Sequence, residues 1–202
     1  ALDAATAAAV DDRVAAIVFR GEGGHFCAGA DIKEVLEDES FDLRLREVLE
    51  HVAGVPVPTV AAISGACMGL GMQLALACDL RVATDDAYFG IPAGKLGLVV
   101  NHWTLRRLTR ALGVGHARLM VLAAETFPAE EMWRLGFTQA QGDLDVALGL
   151  AHRAESLAPL AVAGAKLGFE RVERDLLDDE FEAAFLRAWR SDDLQEGVRA
   201  FG

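Results

Sequence analysis

Short apolar runs punctuated by glycine and proline characterise the first half of the chain, and they predict buried strands. Residues 15–20 and 59–63 are bounded by glycine, proline or serine, as strands buried within an α/β core are. Residues 80–83 and 88–89 predict two further short strands. Because helical patterns lie between these runs, the sequence predicts a mixed α/β core.

The helical patterns in the first half are of two kinds. Residues 34–52 carry charges of both signs interspersed with leucine and valine, which predicts an amphipathic helix. Residues 71–77 contain no β-branched side chain and follow a turn directly, which predicts a buried helix. After Asn101 the pattern predicts helices alone, over residues 104–111, 114–123, 129–135, 144–157, 159–172, 176–189 and 194–201.

A stretch of 27 residues from Val52 to Cys78 contains no Asp, Glu, Lys or Arg and is long enough to cross a bilayer. Pro56, Pro58 and three glycines divide it into an extended segment, a strand, a turn and a helix. We therefore interpret it as buried α/β structure and not as a membrane span.

Composition excludes several classes of protein. The chain has 202 residues, of which 52% are hydrophobic and 25% charged, a balance that supports a packed core and not a disordered chain. Its formal net charge of −12 disfavours binding to nucleic-acid phosphates or to anionic membranes, because both depend on Lys and Arg. An anionic ligand would need a local cluster of positive charge.

The cysteines Cys27, Cys67 and Cys78 form no C-x-x-C pair, and their odd number does not indicate a disulfide framework. Their spacing matches no zinc-binding pattern, so we expect no metal site. No basic segment precedes an apolar stretch near the first residues, so the sequence shows no secretory signal. We expect reduced thiols in a cytoplasmic protein.

Two turns rich in small residues carry the strongest chemical signal. Residues 25–34, HFCAGADIKE, follow the first predicted strand, and residues 64–73, SGACMGLGMQ, follow the second. Small residues let a ligand approach the backbone, and a helix that begins at such a turn presents unpaired N–H groups at the positive end of its dipole. Two facing turns would form an anion or oxyanion site, although both could equally be tight connections. Neither turn matches the P-loop or dinucleotide-binding pattern.

Several longer motifs occur in order: FCAGADIKE, PVPTVAAISGACMGLGMQLALACDLRVATDDAYFGIPAGKLGL, RRLTRALGVGHAR and SDDLQEGVRAF. In sequence and spacing they resemble the enoyl-CoA hydratase/isomerase (crotonase) superfamily. The resemblance implies an α/β fold with a crotonase (ClpP-like) core of repeated ββα turns and a C-terminal helical region that trimerises. It also implies a homotrimer or a dimer of trimers that binds acyl-CoA thioesters in fatty-acid metabolism, with coenzyme A as part of the ligand and no separate cofactor.

On this resemblance, residues 1–135 form the core with the acyl-CoA site, and residues 136–202 form the helical region of the same structural unit. The family's oxyanion hole corresponds to the backbone N–H groups of Ala30 and Leu70, although the family normally has glycine at the second position. Lys33 would supply positive charge for a phosphate. The residues that the resemblance assigns to contacts with coenzyme A are Ala28, Ala30, Asp31, Ile32, Lys33 and Leu70.

Hydratases of this family use two glutamates to hold a water and move its proton, and this chain has Gln73 and Ala93 at those positions. An amide can orient a water but cannot exchange a proton near neutral pH, and a methyl group can do neither. The resemblance therefore implies thioester binding with weak or absent hydratase activity. The pattern is most similar to a mycobacterial-type subgroup that lacks both glutamates and whose members are thought to bind long fatty acyl-CoA without turnover.

Two other functions remain open. His102 follows the GKLGL element, and because histidine titrates near neutral pH it could serve as the base of an active hydratase or isomerase. A water held by the substrate could replace it. The remaining alternative is a structural subunit with a vestigial site. Compared with the family both ends look shortened, so we expect some contacts to coenzyme A to be absent.

Other residues have an apolar or structural interpretation. Without the second glutamate, Ala93, Leu96, Leu98 and Val99 could line an acyl chain. The carboxylates of Asp79, Asp85 and Asp86 are expected to tie loops and helix ends. Large apolar side chains in the helical half suit either a contact between subunits or packing within one subunit, and they are Phe169, Phe181, Phe185 and Trp189.

Overall fold

The computed structural model describes residues 2–11, 14–31 and 40–174, together with residues 180, 183, 186, 187 and 190–192. The strands of this part of the chain are β1 (Ile17–Arg20), β2 (Thr59–Ile63), β3 (Ala66–Met68), β4 (Leu80–Ala83), β5 (Tyr88–Gly90), β6 (Phe127–Pro128) and β7 (Ala140–Gln141). Its helices are α1 (Leu2–Asp11), α2 (Phe41–Gly54), α3 (Leu70–Ala77), α4 (His102–Leu122), α5 (Ala129–Arg134), α6 (Leu144–Glu155) and α7 (Pro159–Arg174), and Ala93–Leu96 form a 3-10 turn.

Four parallel strands form the main sheet in the order β1-β2-β4-β7. The register places Thr59 of β2 opposite Ile17 of β1 and Val60 opposite Leu80 of β4. All five residues of β2 are buried. A parallel strand that is covered on both faces is apolar along its whole length, which explains the uninterrupted sequence TVAAI.

A second sheet has the order β3-β5-β6, with β3 parallel to β5 and β5 antiparallel to β6. Strand β3 occupies three residues inside the second glycine-rich segment, where the sequence predicted only a turn. So short a strand forms because Tyr88–Gly90 of β5 lies beside it, and no local pattern encodes that partner.

The structure confirms the mixed α/β core and most of the predicted elements. The helix predicted over residues 71–77 begins one residue earlier, at Leu70. The helices predicted over residues 104–111 and 114–123 form the single element α4, kinked at Gly113 with a φ of +74°. The helix predicted over residues 176–189 lies largely outside the described residues, and the one over residues 194–201 lies wholly outside them. The alanine-rich helix α1 was not predicted.

The uncharged stretch of residues 52–78 is divided among the end of α2, β2, β3 and α3, which confirms that it is buried α/β structure. Every residue of α3 from Gly71 to Ala77 is buried. Helices α2 and α4 both pack against α3, so this helix lies in the middle of the core. Among the helices that the structure describes, none combines the length and the apolarity needed to span a membrane.

A buried lysine joins the C-terminal helical half to the sheet. Lys166 of α7 is 7% exposed, and its Nζ donates to Asp79 Oδ2 at 2.7 Å and to the Val57 carbonyl at 2.9 Å. The same Asp79 oxygen accepts bonds from the backbone N–H of Thr59 at 2.7 Å and from its hydroxyl at 2.9 Å. These bonds confirm the structural interpretation of Asp79, and they offset the cost of burying the ammonium group.

Replacement of Lys166 by methionine should destabilise the protein strongly, because it leaves the Asp79 carboxylate without its cation. We expect the free energy of unfolding to fall by about 2–4 kcal/mol, measured by urea denaturation followed by circular dichroism. The exposed Lys95 supplies the control: Lys95→Met should change stability little. Adding Asp79→Asn to Lys166→Met should recover part of the loss. Equal effects of the two lysine variants would contradict this role.

Candidate functional site

The two glycine-rich turns lie side by side. The backbone of Cys27 pairs with the second segment, since its N–H donates to the Ala66 carbonyl at 2.9 Å and its carbonyl accepts from Met68 N–H at 2.9 Å. The first turn therefore continues the second sheet as an isolated bridge between Cys27 and Cys67. Backbone hydrogen bonds thus bring together two segments that are far apart in the sequence.

Glycines make the contact between the turns close. Gly29 has a φ of +131° and Gly69 a φ of +54°, conformations that residues with a Cβ atom rarely adopt. A Cβ atom on Gly69 would lie 3.9 Å from Gly29 Cα, and one on Gly71 would lie 2.9 Å from the Cβ of Cys27 and would overlap its carbonyl. The residues that follow Gly29 and Gly69, which are Ala30 and Leu70, therefore belong to adjacent turns.

Leu70 is the first residue of α3, so its N–H has no partner within the helix. Neither this N–H nor that of Ala30 donates a hydrogen bond to another residue that the structure describes. The turn before α3 is held from the other side, because Gly69 N–H donates to the Gly90 carbonyl at the end of β5 at 2.8 Å. Two unused donors at the positive end of a buried helix can stabilise negative charge on an acceptor oxygen.

Gln73 lies in the first turn of α3 and is 8% exposed. It forms a 3.1 Å hydrogen bond with the hydroxyl of the fully buried Thr104. That hydroxyl also lies 2.9 Å from Asn101 Oδ1, which accepts from Thr104 N–H at 3.0 Å, while Asn101 Nδ2 donates to Asp42 at 3.2 Å.

One hydroxyl carries a single proton, so Thr104 cannot donate to both amide oxygens at once. Asp42 requires an N–H donor from Asn101, which orients the Asn101 oxygen towards Thr104. The hydroxyl proton therefore goes to one of two acceptors, Gln73 Oε1 at 3.1 Å or Asn101 Oδ1 at 2.9 Å. Every member of this network is an amide or a hydroxyl apart from the distal Asp42, so nothing in it next to Gln73 exchanges a proton near neutral pH.

Ala93 opens the 3-10 turn that follows β5, and its partly buried methyl packs against the main core. Its carbonyl accepts from Leu98 N–H at 3.0 Å, which closes the turn. The apolar side chains that follow are exposed: Leu96 by 53%, Leu98 by 42% and Val99 by 90%. This segment is tied to the site because Gly90, three residues before Ala93, bonds to Gly69.

Ala28 and Asp31 are exposed on the first turn, whereas Ile32 and Lys33 lie outside the described residues. His102 is exposed at the start of α4 and lines a surface cavity. The residues that line this cavity do not include Ala30, Leu70 or Gln73. Its role as a base stays a prediction.

Sequence reasoning missed Thr104. Its spacing of three residues from Asn101 is the signal of a helix N-cap, and Asn101 does cap α4 by accepting from Thr104 N–H. The contact of Thr104 with Gln73 has no such local signal, because 31 residues separate the two.

The three cysteines are free thiols at different depths: Cys27 is half-buried, and Cys67 and Cys78 are buried. Burial raises the pKa of Cys78 from its ordinary value of 9.0 to about 12, an effect that the nearby Arg81 charge opposes. Burial also raises the pKa of Cys67 well above the ordinary value, with smaller contributions from Cys27 and Cys78. Cys67 and Cys78 are therefore protonated at neutral pH and are poor nucleophiles.

A family model described as enoyl-CoA hydratase/isomerase matches residues 2–201. The chain belongs to the enoyl-CoA hydratase/isomerase family. A family member named probable enoyl-CoA hydratase echA6, from Mycobacterium leprae (strain TN), is 39% identical over 188 residues, which cover 89% of this chain and 73% of the relative. The mitochondrial methylglutaconyl-CoA hydratase of Mus musculus is 34% identical over 208 aligned positions, which cover 95% of this chain and 66% of the relative.

Solved structures of enoyl-CoA hydratase relatives share the fold. Pseudomonas aeruginosa DspI superposes with a TM-score of 0.89 at 29% identity, over 99% of this chain and 82% of that one. An enoyl-CoA hydratase/carnithine racemase from Magnetospirillum magneticum gives 0.88 at 28% identity, over 99% and 80% of the two chains. The expected crotonase fold is thereby confirmed.

Gly71→Ala should damage this enoyl-CoA hydratase family fold at the junction of the turns, because the new methyl group overlaps Cys27. We expect a loss of about 1–3 kcal/mol in the free energy of unfolding. Gly149 supplies a matched control, since it is also helical but a Cβ there meets no atom within 4 Å. Gly149→Ala should be neutral or stabilising by up to about 1 kcal/mol. Similar urea midpoints for both variants would refute the close approach.

Thiol chemistry should distinguish the three cysteines. At about pH 8 an aromatic disulfide reagent should modify the half-buried Cys27 of the native protein, and the buried Cys67 and Cys78 only after unfolding. The pKa of the Cys78 thiol is 9.0 as its ordinary value and about 12 in the folded chain. The protonated, buried thiol therefore contributes stability that is fully present below pH 9.0 and is lost as the pH rises from 9.0 to about 12. Rapid modification of all three native thiols would contradict this arrangement.

Proposed function

We propose that this chain binds acyl-CoA thioesters of fatty-acid metabolism where the two glycine-rich turns meet, and that its hydration of enoyl-CoA is weak or absent. The N–H groups of Ala30 and Leu70 support binding, because they lie on adjacent turns and donate to no other described residue. A thioester oxygen that accepts from both would develop its negative charge at the positive end of α3. Relatives named as enoyl-CoA hydratases support a coenzyme A thioester as the ligand.

The environment of Gln73 is the observation that supports weak or absent hydration of enoyl-CoA. Hydration requires one group to remove a proton from water and a group to deliver a proton to carbon. The amide of Gln73 does neither, and the Thr104 hydroxyl and Asn101 amide beside it offer no substitute. Loss of general acid–base catalysis costs about 10²–10⁴ in rate, whereas the polarising backbone donors remain.

The segment after Ala93 supports a fatty acyl chain as the bound group. Ala93 contributes a methyl group, and Leu96, Leu98 and Val99 present exposed apolar surface just beyond it. An acyl chain laid over these side chains would remove apolar area from water, at about 25 cal/mol per Å². A longer chain would therefore bind more tightly.

The proposal includes assembly into a homotrimer or a dimer of trimers through the helical region. Two large apolar side chains of α7 support it, because Phe169 is 74% exposed and Val172 68% exposed in the single chain. Free thiols at all three cysteines fit a reducing compartment such as the cytoplasm. Sedimentation equilibrium tests the assembly, and a monomer at all concentrations would remove this part of the proposal.

A single titration tests binding and turnover together. A long-chain trans-2-enoyl-CoA is added while the heat of binding is recorded, and the same mixture is then analysed for hydrated or isomerised product. We expect binding without product. Absence of binding would favour a structural subunit with a vestigial site. Product that disappears in a His102→Ala variant would instead support an active enzyme that uses His102 as its base.

Restoring two carboxyl groups should restore proton transfer. We expect Gln73→Glu combined with Ala93→Glu to raise the rate of hydration by about 10–10³-fold over the unmodified chain, measured by loss of enoyl absorbance. The Thr104 hydroxyl can donate to the carboxylate introduced at position 73 in place of the amide. A Gln73→Met, Ala93→Leu variant adds comparable volume without carboxyl groups and should stay inactive. Equal rates of hydration in both double variants would contradict the proposal that the missing carboxyl groups at positions 73 and 93 limit hydration.

A further inference from the structure

The surface cavity lined by His102, of about 300 Å³, opens where α2, α4 and α7 meet. Each helix contributes one arginine to its wall: Arg46 from α2, Arg106 from α4 and Arg174 from α7. Glu50 is the one carboxylate among the described residues that line it, and it lies 3.9 Å from Arg46. Three arginines around one cavity stand out in a chain with a formal charge of −12.

Neighbouring carboxylates neutralise only part of this charge. Arg106 Nε lies 3.4 Å from Glu173 Oε1, but Glu173 also binds Arg110 at 3.3 Å, so two cations share one anion. The Arg174 side chain has no ion pair or hydrogen bond to any residue that the structure describes. The wall of the cavity therefore keeps an excess of positive charge.

Trp103 forms the aromatic part of the wall. The residue is 5% exposed, and its Nε1–H is buried out of reach of the cavity, without a hydrogen-bond partner among the described residues. The Arg107 guanidinium lies 4.5 Å from the ring centroid and covers the ring, and its own charge is paired with Glu170. Helix α4 also begins here, at His102, so the positive end of its dipole faces the same region.

We infer that this cavity binds an oxyanion of carboxylate or phosphate type. Arginine is suited to such groups, because its planar fork donates two parallel bonds to two oxygens. Asn101 belongs both to the wall of the cavity and to the network that reaches Gln73 through Thr104. The anion site therefore adjoins the candidate acyl-CoA site without sharing Ala30 or Leu70 with it.

Isothermal titration of the full chain with inorganic phosphate and, separately, with glutarate tests the inference, at an ionic strength held constant with sodium chloride. Saturable binding of either oxyanion supports it, and the tighter of the two identifies the group that the cavity prefers. Arg174→Gln should weaken binding about 10- to 100-fold, the factor for loss of one charge-assisted hydrogen bond. Arg46→Gln, at an exposed position of α2 in the same wall, should weaken it about 3- to 10-fold.

Arg153→Gln is the matched control, because Arg153 is exposed on α6 and does not line the cavity. It removes the same charge and should leave anion binding unchanged. Circular dichroism checks that each variant is folded, and the variant at the exposed Arg46 keeps the test decisive if Arg174→Gln does not fold. Absence of saturable binding by both anions, or an equal loss in Arg153→Gln and Arg174→Gln, would overturn the inference.

Discussion

The approach of helix α3 to the Cys27 turn, with only a hydrogen atom on Gly71 between them, is the contact on which the rest of the site depends. It brings the helix N-terminus against the first turn, where Gly29 and Gly69 allow the two backbones to touch. The hydrogen bond from Gly69 to Gly90 holds the second turn from its other side. Because the positions are set by backbone atoms, the donors of Ala30 and Leu70 depend little on their own side chains.

The chemistry of the site follows from the absence of ionisable groups next to Gln73 among the residues that the structure describes. Helix α3 is buried from Gly71 to Ala77, and its polar residue, Gln73, is held by the buried Thr104. A neutral, preorganised environment polarises a carbonyl without moving a proton. The proposed separation of thioester binding from proton transfer rests on this neutral network around Gln73.

Buried ion pairs join helix α7 to the rest of the chain. Lys166 reaches Asp79 at 2.7 Å across the boundary between α7 and the sheet, and Arg107 Nη2 of α4 lies 2.7 and 2.6 Å from the two carboxylate oxygens of Glu170 in α7. Breaking such a buried pair leaves an uncompensated charge, so these contacts specify how the helical half docks. The same helices enclose the arginine-lined cavity, where the pairing of charges is incomplete.

Local sequence pattern was enough to predict the elements whose residues are apolar because they are buried, such as β2 and α3, and the two turns of small residues. It suffices there because burial and glycine conformation act residue by residue. The choice of Ala30 and Leu70 within those turns came from the family resemblance. The pairing of β3 with β5, the bond between Thr104 and Gln73, and the meeting of Arg46 and Arg174 at one cavity came from the folded chain alone. These contacts join segments far apart in the chain, and their free energy depends on positions that no local pattern encodes.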